Sequence, residues 1–297
     1  MTAPRTHHYT CRYCRHSSDP DGVSCPRCGA PVDVTAAVTR SGWQRQEPIA
    51  DMARIQFGQS YLQVEGTQVP VADFALSGDE SIYFSHHSLL WTDPGARLAS
   101  MGLSGGWKRV MSGLPLFMIT GRGPGHIALS DNHAGDLVCL PLEHGQAIWT
   151  REHRFLAATG NVTYDWQNTG IWFRTRSGDE TETHYPIGMF GDVFTARDAP
   201  GLLLLHSPGN TFIRDLAPNQ PLLIQPSALL YRDLSVQTHL HLEYPHTDGG
   251  FFSRSYSYRN VWLRLVGPGR VAVSSVTEPP ESSNPIIRSS PATTWRW

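Results

Sequence analysis

The sequence predicts an all-β protein: a three-repeat β-sandwich, of double-stranded β-helix-like form, preceded by a small zinc ribbon. Three observations predict it. Two Cys-x-x-Cys pairs stand close together near the N-terminus. From about residue 49 onward, short apolar or alternating runs are separated by turn residues. One phrase also recurs three times: "SIYFSHHSLLW" at 81–91, "AIWTREHRFLA" at 147–157 and "PLLIQPSALLY" at 221–231.

The ribbon comes first, at residues 1–32. Cys11 and Cys14 form one pair, Cys25 and Cys28 the other. Each pair makes a tight turn that aims two thiolates at one point. The ten residues between the pairs fold one knuckle onto the other. Four sulfurs then surround one Zn²⁺ tetrahedrally with no open position, so the site is structural and not catalytic. Gly29 gives the backbone freedom needed just after the last ligand. Two disulfides are the rival reading, and a reducing compartment disfavours them. Residues 1–40 carry five arginines (Arg5, Arg12, Arg15, Arg27, Arg40) against three aspartates (Asp19, Asp21, Asp33). Zinc with four thiolates adds about −2 and cancels the surplus, whereas phosphate binding needs positive charge. A protein-docking module is the better reading.

Residues 33–48 read as a linker. The β-domain spans 49–276, with strands such as "YLQVEG", "DLVCLPL", "GIWFRTR", "VQTHLHLEY" and "VWLRLVG" and turns such as "TDPG", "RSGD" and "SPGN". One short helix is expected around "GGWKRVMSG". Aligning the three phrases stacks Ile82, Ile148 and Leu222; Tyr83, Trp149 and Leu223; Leu89, Phe155 and Leu229; and Leu90, Leu156 and Leu230. At one constant offset Gly135 meets Gly209, Leu142 meets Leu216, Gln146 meets Gln220, and Val162 meets Val236. "GHIALS" and "GLLLLH" read as the openings of the second and third units. These matches predict three related units, the first diverged, each too small to bury its own face. Each phrase is an apolar strand, a polar corner and an apolar return. Leu90, Leu156 and Leu230 should therefore be buried at equivalent positions.

Residues 277–297 read as an extended tail rich in Pro and Ser, ending in Trp295 and Trp297. Alternation would put both indoles on one face of a strand able to add to a sheet edge.

The composition is that of a globular protein, 40% hydrophobic and 17% charged with net charge −2. That balance argues against a general nucleic-acid or membrane-surface binder. No run reaches the roughly 18 apolar residues of a membrane helix. The N-terminus lacks the apolar stretch of a signal peptide, so a cytoplasmic location is expected. Cys139, in an apolar run, reads as a core thiol.

Three further motifs resemble sites. Gly102-Leu-Ser104-Gly-Gly106 matches G-x-S-x-G but lacks the strand–turn–helix setting of a nucleophile elbow. "GRGPG" at 121–125 precedes a strand, where a phosphate loop needs a helix N-terminus. In "HLHLEYPH", His239, His241 and Glu243 alternate and would share one strand face, where three such ligands suit a divalent metal. A solvated face opposite Leu240 and Leu242 is the plainer reading.

From about Phe74 to Tyr244 the chain resembles the altered inheritance of mitochondria protein 24 family, also called the mitochondrial biogenesis family. The resemblance rests on "GDESIYFS", "GGWKRVMSGLPLFMITGRGPGHIALS", "AGDLVCLPL" and "FLAATGNVTYDW". It implies three structural repeats, each similar to a subunit of the tryptophan RNA-binding attenuation protein, a small β-sandwich that assembles into rings. It also implies a homo-oligomer, a trimer. It carries over no catalytic residues, and the zinc ribbon lies outside the family pattern. The mitochondrial branch is associated with inner-membrane organisation, which points to scaffolding.

The sequence thus leads to a non-enzymatic scaffold or assembly protein with an unidentified protein partner. One structural Zn²⁺ is expected on Cys11, Cys14, Cys25 and Cys28. Two alternatives stay open: a cupin-like metal enzyme using His239, His241 and Glu243, and an RNA-binding ring, the latter by fold analogy alone.

Overall fold

The computed structural model describes residues 9–11, 13–18, 24–30, 42–101, 118–242, 261–277 and 286–290. Every described pair of strands is antiparallel. In the cysteine segment β1 (Tyr9–Thr10) pairs with β2 (Ser17–Ser18). Then come β3 (Gln44–Arg45), β4 (Arg54–Phe57) and β5 (Ser60–Glu65).

The first unit holds β6 (Val71–Leu76), β7 (Ser81–Ser85), β8 (Leu89–Thr92), β9 (Arg97–Ser100), β10 (Met118–Arg122) and β11 (Gly125–Leu129). The second begins with β12 (Gly135–Leu142), β13 (Ala147–Arg151), β14 (Phe155–Thr159) and β15 (Val162–Asn168). A hairpin follows, β16 (Phe173–Ser177) and β17 (Glu180–His184), before β18 (Phe190–Ala196) and β19 (Gly201–Pro208) close the unit. The third holds β20 (Thr211–Leu216), β21 (Pro221–Ile224), β22 (Leu229–Asp233), β23 (Gln237–Leu242), β24 (Val261–Val266) and β25 (Gly269–Ser274), and β26 (Ile286–Ser289) ends the series.

The units share one pairing pattern. The last strand of each lies between its first and third: β11 between β6 and β8, β19 between β12 and β14, β25 between β20 and β22. The fifth-placed strand of each lies between its second and fourth: β10 between β7 and β9, β18 between β13 and β15, β24 between β21 and β23. One polar cap also repeats at the same place. The side chain of Asp93 accepts from the His126 backbone N–H at 2.9 Å, Thr159 from Leu202 at 3.0 Å, and Asp233 from Arg270 at 2.7 Å. Chance does not place three such caps at equivalent positions, so the repeat is a property of the fold.

Burial explains the strand patterns. The two-sided strand β19, "GLLLLHSP", is buried almost throughout because strands flank it on both edges and apolar layers cover both faces. One-sided strands alternate instead, as in β24, whose Val261, Leu263 and Leu265 point inward. The recurring phrase is a strand, a corner and a return in all three copies. In the first and third the corner is a 3₁₀ turn, over His86–Ser88 and Pro226–Ala228. His86 and His87 are exposed in the corner of the first copy.

Sheets run from one unit into the next. β14 of the second unit pairs with β7 of the first, and β22 of the third pairs with β13 of the second. Leu156 consequently packs in the core of the first unit with Leu62, Phe74, Ile82 and Ile127. Leu230 likewise packs in the core of the second with Val138, Ile148 and Phe194. Each unit thus completes the core of the one before it.

Several expectations need correction. Leu90 is not buried like Leu156 and Leu230: it is 49% exposed, against 1% and 0%. Its strand β8 ends a sheet, and no described strand lies beyond it. "GHIALS" and "GLLLLH" close units and do not open them, since β11 and β19 pair with the earlier strands of their own units. The linker is not free of structure: β3 adds to β20. In the tail, β26 adds to the edge of β16 in the same chain. Cys139 is half-buried against the first core, and burial pushes its thiol up to about 12. The expected helix at 105–113, Ser104, Glu243, Trp295 and Trp297 lie outside the described residues.

Candidate metal centre

The two knuckles repeat one backbone form. In the first, the Arg15 N–H donates to the Cys11 carbonyl at 2.7 Å and the Cys11 N–H donates to the His16 carbonyl at 2.9 Å. In the second, Gly29 donates to Cys25 at 2.9 Å and Cys25 to Ala30 at 2.7 Å. The residue after each second cysteine turns left-handed, Arg15 at φ 55° and Gly29 at φ 71°. Glycine takes that conformation freely, while arginine does so at a cost of about 1–2 kcal/mol. The pair β1 and β2 flanks the first knuckle.

All four sulfurs lie within 4.8 Å of one another. Cys11 Sγ is 3.7 Å from Cys28 Sγ, and Cys14 Sγ is 3.6 Å from Cys25 Sγ. Those separations are far beyond the roughly 2.05 Å of a disulfide. They match the edge of a tetrahedron built on metal–sulfur bonds of about 2.3 Å, which is about 3.8 Å. The electrostatics suit thiolate formation unevenly. The Cys14 backbone lowers the Cys11 thiol to about 6, and the Arg27 backbone lowers Cys25. At Cys28 the Ala30 backbone also pulls downward, but the Cys14 thiol, burial and the other two thiols outweigh it and push the group up to about 12. These four residues could hold a metal ion, whose charge would replace the protons of the four crowded thiols.

Among the described residues these four cysteines are the one group of three or more ligands brought together. The histidine strand is different. His239 stands opposite Arg264 in the register and His241 opposite Trp262. Burial and the Arg264 charge lower the His239 pKa, and that same positive charge works against a divalent cation. His241 is buried beside Leu240, so the strand does not present the solvated face the alternation suggested.

One polar cluster carries no signal in the sequence. His206, almost wholly buried, brings Nδ1 to 3.2 Å from Asp131 Oδ1 and Nε2 to 3.1 Å from the His133 carbonyl. The same Asp131 oxygen lies 2.9 Å from His133 Nδ1. The residues sit in a loop and in a run of leucines, so no spacing announces them.

The model of the family described as mitochondrial biogenesis AIM24 matches residues 62–276. The chain belongs to that family. The match begins at β5 and ends after β25, so it takes in all three units and leaves the cysteine segment outside. A crystal structure of a Streptococcus pyogenes protein, a structural-genomics target, is similar across 74% of this chain and 94% of its own. Its TM-score is 0.53 at 19% identity, which shows a shared fold and nothing about activity. No curated protein matches the chain. The AIM24 assignment agrees with the resemblance seen in the sequence and places the four cysteines on an added segment.

Proposed function

We propose that this AIM24-family chain is a non-enzymatic scaffold or assembly protein. In this reading it is a self-associating β-array carrying an N-terminal zinc ribbon that docks a protein partner. The observation that supports it is the closed thiol cluster. Four sulfurs at tetrahedral spacing leave no coordination position for a water or substrate, so the ion shapes the segment and does no chemistry. Zinc is the ion that suits four thiolates in this geometry. The repeat-built core adds support, because units that complete one another's cores are assembly parts by construction.

A cytoplasmic setting belongs to the same reading, since exposed Cys28 and its neighbours need a reducing medium to stay ready for metal. No described helix is long and apolar enough to cross a membrane. General nucleic-acid binding fits poorly with a net charge of −2. The trimer implied by the resemblance is one form the self-association would take.

The test is metal content together with partner capture. The full chain should hold one zinc per molecule by elemental mass spectrometry. The double variant Cys11→Ser/Cys14→Ser should lose it and lose the captured protein, while unfolding of the β-array stays unchanged. A second bound metal that His241→Ala removes would overturn the reading in favour of the enzyme.

A further inference from the structure

Both internal junctions use the same register. At the first, Ala157, Ala158 and Thr159 of β14 stand opposite Phe84, Tyr83 and Ile82 of β7. At the second, Tyr231, Arg232 and Asp233 of β22 stand opposite Thr150, Trp149 and Ile148 of β13. Under the alignment of the three phrases these are the same positions. Every junction therefore joins the return strand of one unit to the leading strand of the unit before it.

Three units contain three return strands and three leading strands, but two junctions use only two of each. The strands left over are β8 in the first unit and β21 in the third. Each is the terminal strand of its sheet, with no described strand on its outer edge. Both carry apolar side chains into solvent: Leu90 at 49% exposure, Trp91 at 47% and Leu223 at 43%. The equivalent side chains inside the array are buried, Leu156 at 1%, Leu230 at 0% and Trp149 at 1%. An edge of this kind, apolar and unprotected by charge or proline along β8, invites another strand.

We propose that β8 of one copy pairs with β21 of a second copy, repeating the internal junction between molecules. The inference deepens the assembly reading above and rests on it. The register follows from the two junctions already formed: Trp91 opposite Ile224 of the next copy, Thr92 opposite Leu223, and Asp93 opposite Leu222. Leu90 then enters the third core of the neighbour, beside Ile224 and Leu263, as Leu230 enters the second core of its own chain. The contact is head-to-tail, because the surfaces on the two molecules differ.

Complementation tests it. Leu90→Asp blocks one edge and Leu223→Asp blocks the other, and both side chains are exposed in the single chain, so each variant folds. In sedimentation velocity the unaltered chain should be oligomeric and each variant monomeric, with unchanged thermal unfolding. An equimolar mixture of the two should give a dimer, since it restores one intact pair of edges. A second measurement fixes the register. Directly opposed residues in an antiparallel pair have Cα atoms about 4.5–5.5 Å apart, within disulfide reach. Thr92→Cys/Leu223→Cys should form intermolecular disulfides that neither single variant forms. A mixture that stays monomeric, or a Leu223→Asp variant that still assembles, overturns the junction while leaving self-association intact. An unaltered chain that is monomeric overturns both readings.

Discussion

His206 shows how one buried side chain sets a pH response. Burial holds its pKa below the ordinary value, with Asp131 pulling the other way more weakly. Below about pH 6.5 the unfolded histidine takes up a proton that the folded one resists. Stability from this group is therefore present at neutral pH and lost as the pH falls. His239, also lowered by burial, adds the same sign. His133 is raised by Asp131 and has the opposite sign, but it is fully exposed and screened by solvent. The thermal midpoint should be lower at pH 5 than at pH 7.5, and His206→Gln should narrow the gap. Circular dichroism melts at the two pH values decide it; equal midpoints for the unaltered chain would remove the assignment. At this scale the sequence was readable where chemistry imposes spacing. Cys-x-x-Cys pairs and Gly29 announced their roles, whereas Arg15 in a left-handed conformation and the Asp131–His206 contact did not. Those features depend on chain segments meeting in space.

Single strands and corners give the sharpest energetic contrast. Leu156 and Leu230 fill the cores of neighbouring units, so truncating either to alanine should cost about 2–5 kcal/mol in denaturant unfolding. Leu90→Ala should leave the stability of the single chain nearly unchanged, because the side chain is half exposed. Equal losses at all three positions would contradict the open edge. Strand existence was legible from alternation and from runs such as "GLLLLH". Sequence could not separate a buried apolar residue from an unpaired one, so Leu90 looked like its two counterparts. It also hid β26, since "IIRS" sits among Pro and Ser residues that dominate the local composition. The pairing of β26 with β16 depends on a hairpin that is described in the second unit alone.

The whole molecule divides between an array that folds by burying apolar surface and a short segment that cannot. Residues 1–32 are too few to fold on core burial, so in the proposed reading the metal organises them. Deleting residues 1–40 should leave cooperative unfolding of the array intact, since β3 at Gln44–Arg45 remains paired with β20. Loss of the cooperative transition would show the two parts to be one folding unit. One cysteine segment sits on a chain of three units. When chains join end to end, docking modules recur once every three units along a continuous β-surface. The valency of the assembly then equals its number of chains, however weakly each module binds. A partner with several tethered contact sites would be held at high effective concentration after its first encounter. Avidity of this kind can exceed a single contact by about 10²–10⁴, and it would vanish on dissociation into single chains.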